Sequence, residues 1–229
     1  MKILAVDTAA RYCSVAIVQN NNLLAELFNE SQETHSKHLM SMIKEGFKIS
    51  GFNTHDMDGF SVTTGPGSFT GLRIGISCIK GLAEATGRSV AAISTLDALA
   101  AQLPETPYLI CIMTDARKGE VYSSRYRFIN GVLKKEIKEK NFIPVMAIKD
   151  INEPCLFIGD GVKVCRNVIE DKLDGLANFM TEEFNVIKAS TVAFLGIKKF
   201  LNNDVEDAEL IVPYYIRKSD INKKKLISD

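Results

Sequence analysis

The sequence predicts a two-lobed α/β protein in which mixed sheets are flanked by helices, and three observations predict it. Three apolar, strand-like runs open the chain with only short polar turns between them, the pattern of an antiparallel meander. A glycine-rich loop, Gly65-Pro66-Gly67-Ser68-Phe69-Thr70-Gly71, then joins a strand to a long helical stretch. Finally, Pro104-Glu105-Thr106-Pro107 places two prolines in four residues before a second strand-rich half, and prolines at that density stop regular structure. Strands in a run followed by strand, helix and strand differ from the strict strand–helix alternation of a dinucleotide-binding domain. The expected division is a first lobe at 1–104, a second at 105–212 and a terminal segment at 213–229.

Taken in order, Ile3–Val6, Cys13–Gln19 and Leu23–Phe28 read as the three opening strands. Lys37–Ser50 has helical periodicity, with Gly51 as its stop. Gly59–Thr63 is a strand, Leu72–Thr86 a helix closed by Gly87, Val90–Ile93 a strand, and Thr95–Gln102 a helix that Thr95 is placed to cap. In the second half Tyr108–Thr114 reads as a buried strand. Glu120–Phe128 and Val132–Ile137 are strands joined by the hairpin signal Asn130-Gly131. Leu156–Ile158 runs into the tight turn Gly159-Asp160-Gly161, and Val162–Ile169 and Thr191–Leu201 read as helices. Pro213 opens a short segment, Tyr214-Tyr215-Ile216-Arg217, before a lysine-rich end at Lys223-Lys224-Lys225.

Composition narrows the function classes. The chain has 229 residues, 46% apolar and 24% charged, with 28 basic against 28 acidic side chains. That balance is ordinary for a globular protein, and it argues against a chain that grips nucleic acid alone through many phosphates. The five cysteines are scattered and form no Cys-x-x-Cys pair, so neither a disulfide framework nor a zinc knuckle is expected. No run approaches the ~18 apolar residues of a membrane span, and Asp7 interrupts the opening apolar run too early for a signal-peptide core. A cytoplasmic protein is expected.

The glycine loop is the most distinctive stretch. Gly65, Gly67 and Gly71 open backbone conformations closed to other residues, and the following helix N-terminus could receive a phosphate. The Gly-Lys-Ser/Thr ending of a P-loop is missing, so a tight strand-to-helix turn with close packing remains the alternative. Asp7 and Thr8 follow the first strand, where an acidic residue could sit near phosphate and metal, with Asp115 and Asp160 as further carboxylates. His35 and His38, three apart, lack a third metal ligand, and His55 sits in a loop-like stretch. No Gly-x-Ser-x-Gly elbow occurs, which disfavours a serine hydrolase.

Two helices carry unusually wide apolar faces. On the first, Leu39, Met40, Met42, Ile43, Phe47 and Ile49 spread over roughly 180°, whereas a surface helix needs a stripe only somewhat wider than ~100°. On the second, Leu72, Ile76, Ile79 and Ala83 form one stripe while Ile74 and Leu82 lie off it. Gly71 and Gly75 would admit a close helix. Either both helices are enclosed in one large lobe or they meet another subunit. Leu39, Met42, Ile43 and Phe47, with Arg73, Ile76 and Ile79, are the expected interface residues.

At these residues the chain resembles the TsaB (YeaZ) family, over most of its length. The resemblance is carried by Ile3-Leu4-Ala5-Val6-Asp7-Thr8-Ala9, Cys13-Ser14-Val15-Ala16, His35-Ser36, and above all Thr64 to Gly75 followed by Ile93 to Leu99. Asp115-Ala116-Arg117-Lys118-Gly119-Glu120-Val121-Tyr122 and Pro213 to Arg217 extend it into the second half. It implies an actin-like ATPase fold and a non-catalytic role in making N6-threonylcarbamoyladenosine at position 37 of tRNAs that read codons beginning with A. The implied partners are a catalytic TsaD-type subunit, a TsaE-type ATPase, a second copy of the chain when alone, and tRNA indirectly. TsaD-type proteins carry a metal-binding His-x-x-x-His pair after the shared loop and helix; Thr95 and Leu99 stand in its place here. No metal is therefore expected, and ATP or ADP only weakly or at a subunit interface. The competing expectations are an active nucleotide phosphohydrolase or kinase using Asp7 and the glycine loop, and a peptidase, an older label attached to relatives of TsaD.

Overall fold

The structure is a computed structural model that describes residues 1–30 and 35–217; the lysine run at 223–225 lies outside the described residues. The opening meander is β1 (Lys2–Asp7), β2 (Tyr12–Gln19) and β3 (Asn22–Glu30), each antiparallel to its neighbour. After α1 (Leu39–Ser50), β4 (Gly59–Gly65) pairs parallel to β1. α2 (Phe69–Thr86) then crosses to β5 (Val90–Ser94), parallel to β4, and α3 (Thr95–Ala101) follows. The sheet order is β3-β2-β1-β4-β5.

The second half repeats this plan. β6 (Leu109–Arg117), β7 (Glu120–Ile129) and β8 (Val132–Phe142) form an antiparallel meander. A short α4 (Pro144–Ala147) leads to β9 (Cys155–Ile158), parallel to β6; α5 (Val162–Lys172) leads to β10 (Ala177–Phe179), parallel to β9. The order β8-β7-β6-β9-β10 is the first sheet's order over again. The expected hairpin at Asn130-Gly131 has both residues at positive φ, 51° and 73°, as does Lys118-Gly119 at 57° and 74°. Two left-handed residues match the right-handed twist of the strands they join.

Residues 189–216 do not stay with the second lobe. α6 (Ala189–Leu201) packs across β1, β2, β4 and β5 of the first sheet. A row of small side chains receives it: Ala16 opposite Ala5, Ala5 beside Ser61, and Ser61 beside Ala91. Gly196 sits directly over Ser61 and Ala91, where an added Cβ would overlap the Ser61 hydroxyl. On the opposite face the larger Ile17 and Leu27 meet α1 at Gly46.

The two lobes share one core. Ile110, Ile112, Tyr122, Tyr126, Leu156 and Ile158 of the second sheet join the first lobe's apolar cluster. The other face of that sheet, with Leu109, Cys111, Met113 and Phe157, packs separately on α4 and α5. A polar bridge supplements the shared core: Tyr126 donates to Asp97 (2.7 Å), Lys135 pairs with Asp97 (2.7 Å) and Glu139 (2.9 Å), and Ser94 donates to Glu139 (3.0 Å).

Candidate functional site

The β1–β2 turn and the glycine loop meet at the floor of the cleft between the lobes. Asp7 ends β1 and is 1% exposed. Its Oδ1 accepts the Thr63 hydroxyl (2.6 Å) and the Ala9 amide (3.2 Å). Burial pushes the carboxyl up to about 7, against the lowering effect of those two hydrogen bonds. Thr8 donates its hydroxyl to the Gly71 carbonyl (2.7 Å), and the Ser68 amide donates to the Ala9 carbonyl (2.7 Å). The Ser68 hydroxyl caps α2 by accepting from the Gly71 amide (3.2 Å).

The glycines are explained by this contact. A Cβ on Gly67 would collide with the Ala9 carbonyl, one on Gly71 with the Thr8 carbonyl, and one on Gly75 with the Thr8 hydroxyl. Gly65, at φ 126°, would place a Cβ 2.6 Å from the Tyr214 carbonyl. The loop is therefore seated on the chain's own turn and terminal segment, which accounts for its glycines, while Gly67 to Gly71 still line the cleft. Gly71 and Gly75 likewise face Thr8 rather than an incoming helix, which corrects the expectation placed on their spacing.

The cleft beside this contact has a volume of about 1440 Å³. Ala9, Gly67 and Gly71 line it, with Thr95, Thr114, Asp115, Asp160 and Lys163, while Asp7 and Thr8 lie beneath. Its charges are paired within the chain: Arg11 with Glu30 (3.0 Å), Arg117 with Asp115 (3.6 Å), Lys163 with Glu182 (2.8 Å) and Arg217 with Glu120 (3.1 Å). Asp160 accepts the Asp115 amide (3.0 Å), and burial raises its carboxyl above the ordinary range. Ser94, not Thr95, caps α3. Thr95 and Leu99 are both buried on that helix, the Thr95 hydroxyl without a partner. One nitrogen of the His35 ring lies 3.0 Å from the Ala10 carbonyl. Among the described residues no three His, Cys, Asp or Glu side chains converge as a metal-binding group.

On the helices the apolar excess is real, but it lies elsewhere than expected. Met42, Ile43, Ile76 and Ile79 are buried in their own lobe's core, against the sheet and away from the expected interface; Leu39 is buried there too but also lines the groove between the two helices. Phe47 is half-buried against the same core and Arg73 is exposed. What remains outside is Met40 and Ile49, each 55% exposed, together with partly exposed Ile74, Cys78 and Leu82. Met40, Ile74, Cys78 and Leu82 line a groove of about 720 Å³ between α1 and α2, flanked by Arg73, Ser77 and Gly81. Cys78 and Met40 touch sulfur to sulfur at 3.3 Å. Ile74 and Leu82 are the residues that fall off the α2 stripe in the sequence. That displacement was the signal, since a side chain off the buried stripe must face outward.

Two five-stranded sheets of repeated topology around a shared cleft make this a protein of the two-lobed actin-like fold. Among solved structures of that class, component A of (R)-2-hydroxyglutaryl-CoA dehydratase from Acidaminococcus fermentans superposes with a TM-score of 0.51 at 11% identity, covering 87% of this chain and 98% of that one. YeaZ from Pseudomonas aeruginosa superposes with a TM-score of 0.78 at 24% identity, over 93% of this chain and 99% of that one. Residues 23–225 match the family model described as TsaD: tRNA N6-adenosine threonylcarbamoyltransferase. The tRNA threonylcarbamoyladenosine biosynthesis protein TsaB of Bacillus subtilis is 30% identical over 98% of this chain and 97% of its own length. The chain belongs to the TsaB (YeaZ) family.

Proposed function

We propose that the chain is a non-catalytic scaffold subunit in the formation of N6-threonylcarbamoyladenosine at position 37 of tRNA, docking a TsaD-type catalytic subunit on its α1–α2 face. The observation that carries this reading is the apolar groove of Met40, Ile74, Cys78 and Leu82, left open on two helices whose other sides are already committed to the core. Exposed contiguous apolar surface with an adaptable methionine suits a partner helix. Small Ser77 and Gly81 on the same face let that helix approach, and a Cβ on Gly81 would meet nothing within 4 Å. In the absence of the partner the face pairs with its own copy, and a TsaE-type ATPase and tRNA join through the assembly.

The non-catalytic part of the reading is supported by Thr95 and Leu99, which supply no imidazole at the position where the TsaD-type pair stands. Nucleotide is accordingly expected only weakly, or at a subunit interface. The decisive experiment replaces Met40→Glu or Leu82→Glu and measures dimerisation by light scattering and affinity for the TsaD-type subunit. Both assemblies should weaken at least tenfold while the secondary structure of the variant monomer is retained. Wild-type association in both variants would overturn the docking face, and turnover of ATP with magnesium by the isolated chain would favour a nucleotide phosphohydrolase instead.

A further inference from the structure

We propose that residues 213–217 form a strap that locks the two lobes together across the cleft, and that a partner on the α1–α2 face tightens it. The second half of this statement rests on the docking reading above; the first half does not. The strap is bound to both lobes. On the first, the Tyr214 amide donates to the Thr64 carbonyl (2.7 Å), and Gly65 leaves room for the Tyr214 carbonyl. Tyr215 stacks on Phe69 of α2, with ring centroids 4.3 Å apart and planes 20° from parallel. Just upstream, Lys80 of α2 donates to the Glu209 (2.9 Å) and Ile211 (3.2 Å) carbonyls, holding the approach of the segment. On the second lobe, Arg217 bonds the Glu120 carboxylate (3.1 Å) and the Ala116 carbonyl (3.4 Å) of the β6–β7 hairpin. Five residues thus span from the glycine loop to the opposite hairpin.

Arg73 connects this strap to the docking face. It lines the apolar groove, yet its Nε donates to the Tyr215 hydroxyl (3.0 Å) and its guanidinium lies 4.0 Å from the Phe69 ring centroid. In the free chain Arg73 is exposed, so water screens both contacts. A partner filling the groove removes that water, and a cation–aromatic contact and a charge-assisted hydrogen bond both strengthen as they are desolvated. Release of the strap would uncover little core, because Tyr214 and Tyr215 are still 39% and 37% exposed and Ile216 is only partly buried against it. Docking therefore favours the seated strap. By reciprocity a seated strap favours docking.

Hydrogen exchange on the full chain, with and without the TsaD-type subunit, tests both halves. The Tyr214 amide is the reporter, because Pro213 has none. Arg217→Ala removes the far anchor without touching the groove, and Glu120→Gln weakens the same anchor from the other lobe. Both variants should raise exchange at least tenfold at Tyr214 and in the β6–β7 hairpin while leaving β2 and β3 unchanged. Both should also weaken partner affinity about fivefold, the lower end of ordinary coupling between sites. In the wild type, partner binding should slow exchange at Tyr214, and Arg73→Lys should abolish that slowing. Unaltered exchange at Tyr214 and the hairpin in both variants overturns the lock. A partner that binds without slowing Tyr214, or binds the variants as tightly as the wild type, overturns the coupling alone. A wild-type chain that binds no partner overturns the docking reading and with it the coupling, while the exchange of the isolated variants still decides the lock.

Discussion

Replacing Asp7 by asparagine should stabilise this protein above neutral pH, and the size of the gain follows from where the carboxyl sits. Asp7 is almost wholly buried, and its carboxyl stands at about 7 against an ordinary value of 3.8. A buried acid raised in this way favours the fold most below 3.8, where it is protonated in both states. That contribution is lost as pH climbs through the folded value, because folding must then keep a charge out of water. The loss runs at about 1.4 kcal/mol per pH unit, or about 4 kcal/mol in all. Asparagine mimics the protonated acid: the Thr63 hydroxyl and the Ala9 amide both address Oδ1, which the amide oxygen replaces. Urea unfolding of wild type and Asp7→Asn at pH 5, 6, 7, 8 and 9 separates this effect from every other titration, since the rest cancel in the difference. The stability difference should move in favour of the variant by about 2.5 kcal/mol between pH 5 and 7 and level off above pH 8. A constant offset would fit any trivial packing change; parallel curves would refute the buried, half-protonated carboxyl.

Two further perturbations test the closed loop and the bridge between lobes. Gly71→Ala drives a Cβ into the Thr8 carbonyl and should cost about 1–3 kcal/mol, as overpacking does; a melting temperature within 1 °C or so of wild type would show that the loop is free of the turn. Glu139→Gln keeps the shape but removes the charge that faces Lys135, and Ser94 still has an acceptor. It should cost about 1–3 kcal/mol in thermal unfolding, and no cost at all would show that the bridge is screened.

The order of strands was legible because each opening run is apolar, short and bounded by polar turns. The helix stops were legible because Gly51 and Gly87 adopt left-handed φ of 75° and 64°. α4 and β10 escaped for the opposite reason: four and three residues are too few to show a period. The return of α6 to the first sheet was also hidden, since a sequence gives the helix but not the row of Ala16, Ala5, Ser61 and Ala91 that receives it. For the site, the width of the apolar arcs on α1 and α2 correctly announced more greasy surface than one face of a sheet absorbs. It did not say which half goes inward. The sheet took the regular stripe, Ile76 and Ile79 among it, and left Met40, Ile74 and Leu82 outside. The glycine spacing similarly announced a close approach without naming what approaches, which proved to be Thr8 and Ala9.

A cleft protein that cycles on a ligand needs lobes whose separation the ligand can set, and here the chain has spent those contacts on itself. Arg11, Arg117, Lys163 and Arg217 each already face a carboxylate, in pairs that are largely exposed and individually weak. One side of the cleft is bridged by Asp97, Lys135 and Glu139, and the core is continuous through Tyr122 and Tyr126. Ligand binding shifts a conformational balance only by its differential affinity for the two states, so a ligand that parted the lobes would have to outweigh this bridge and the shared core. The unspent interactions lie outside, on α1 and α2. That asymmetry, satisfied within and unsatisfied on one helical face, is what supports the proposed role of holding a partner over the competing one of turning over a nucleotide.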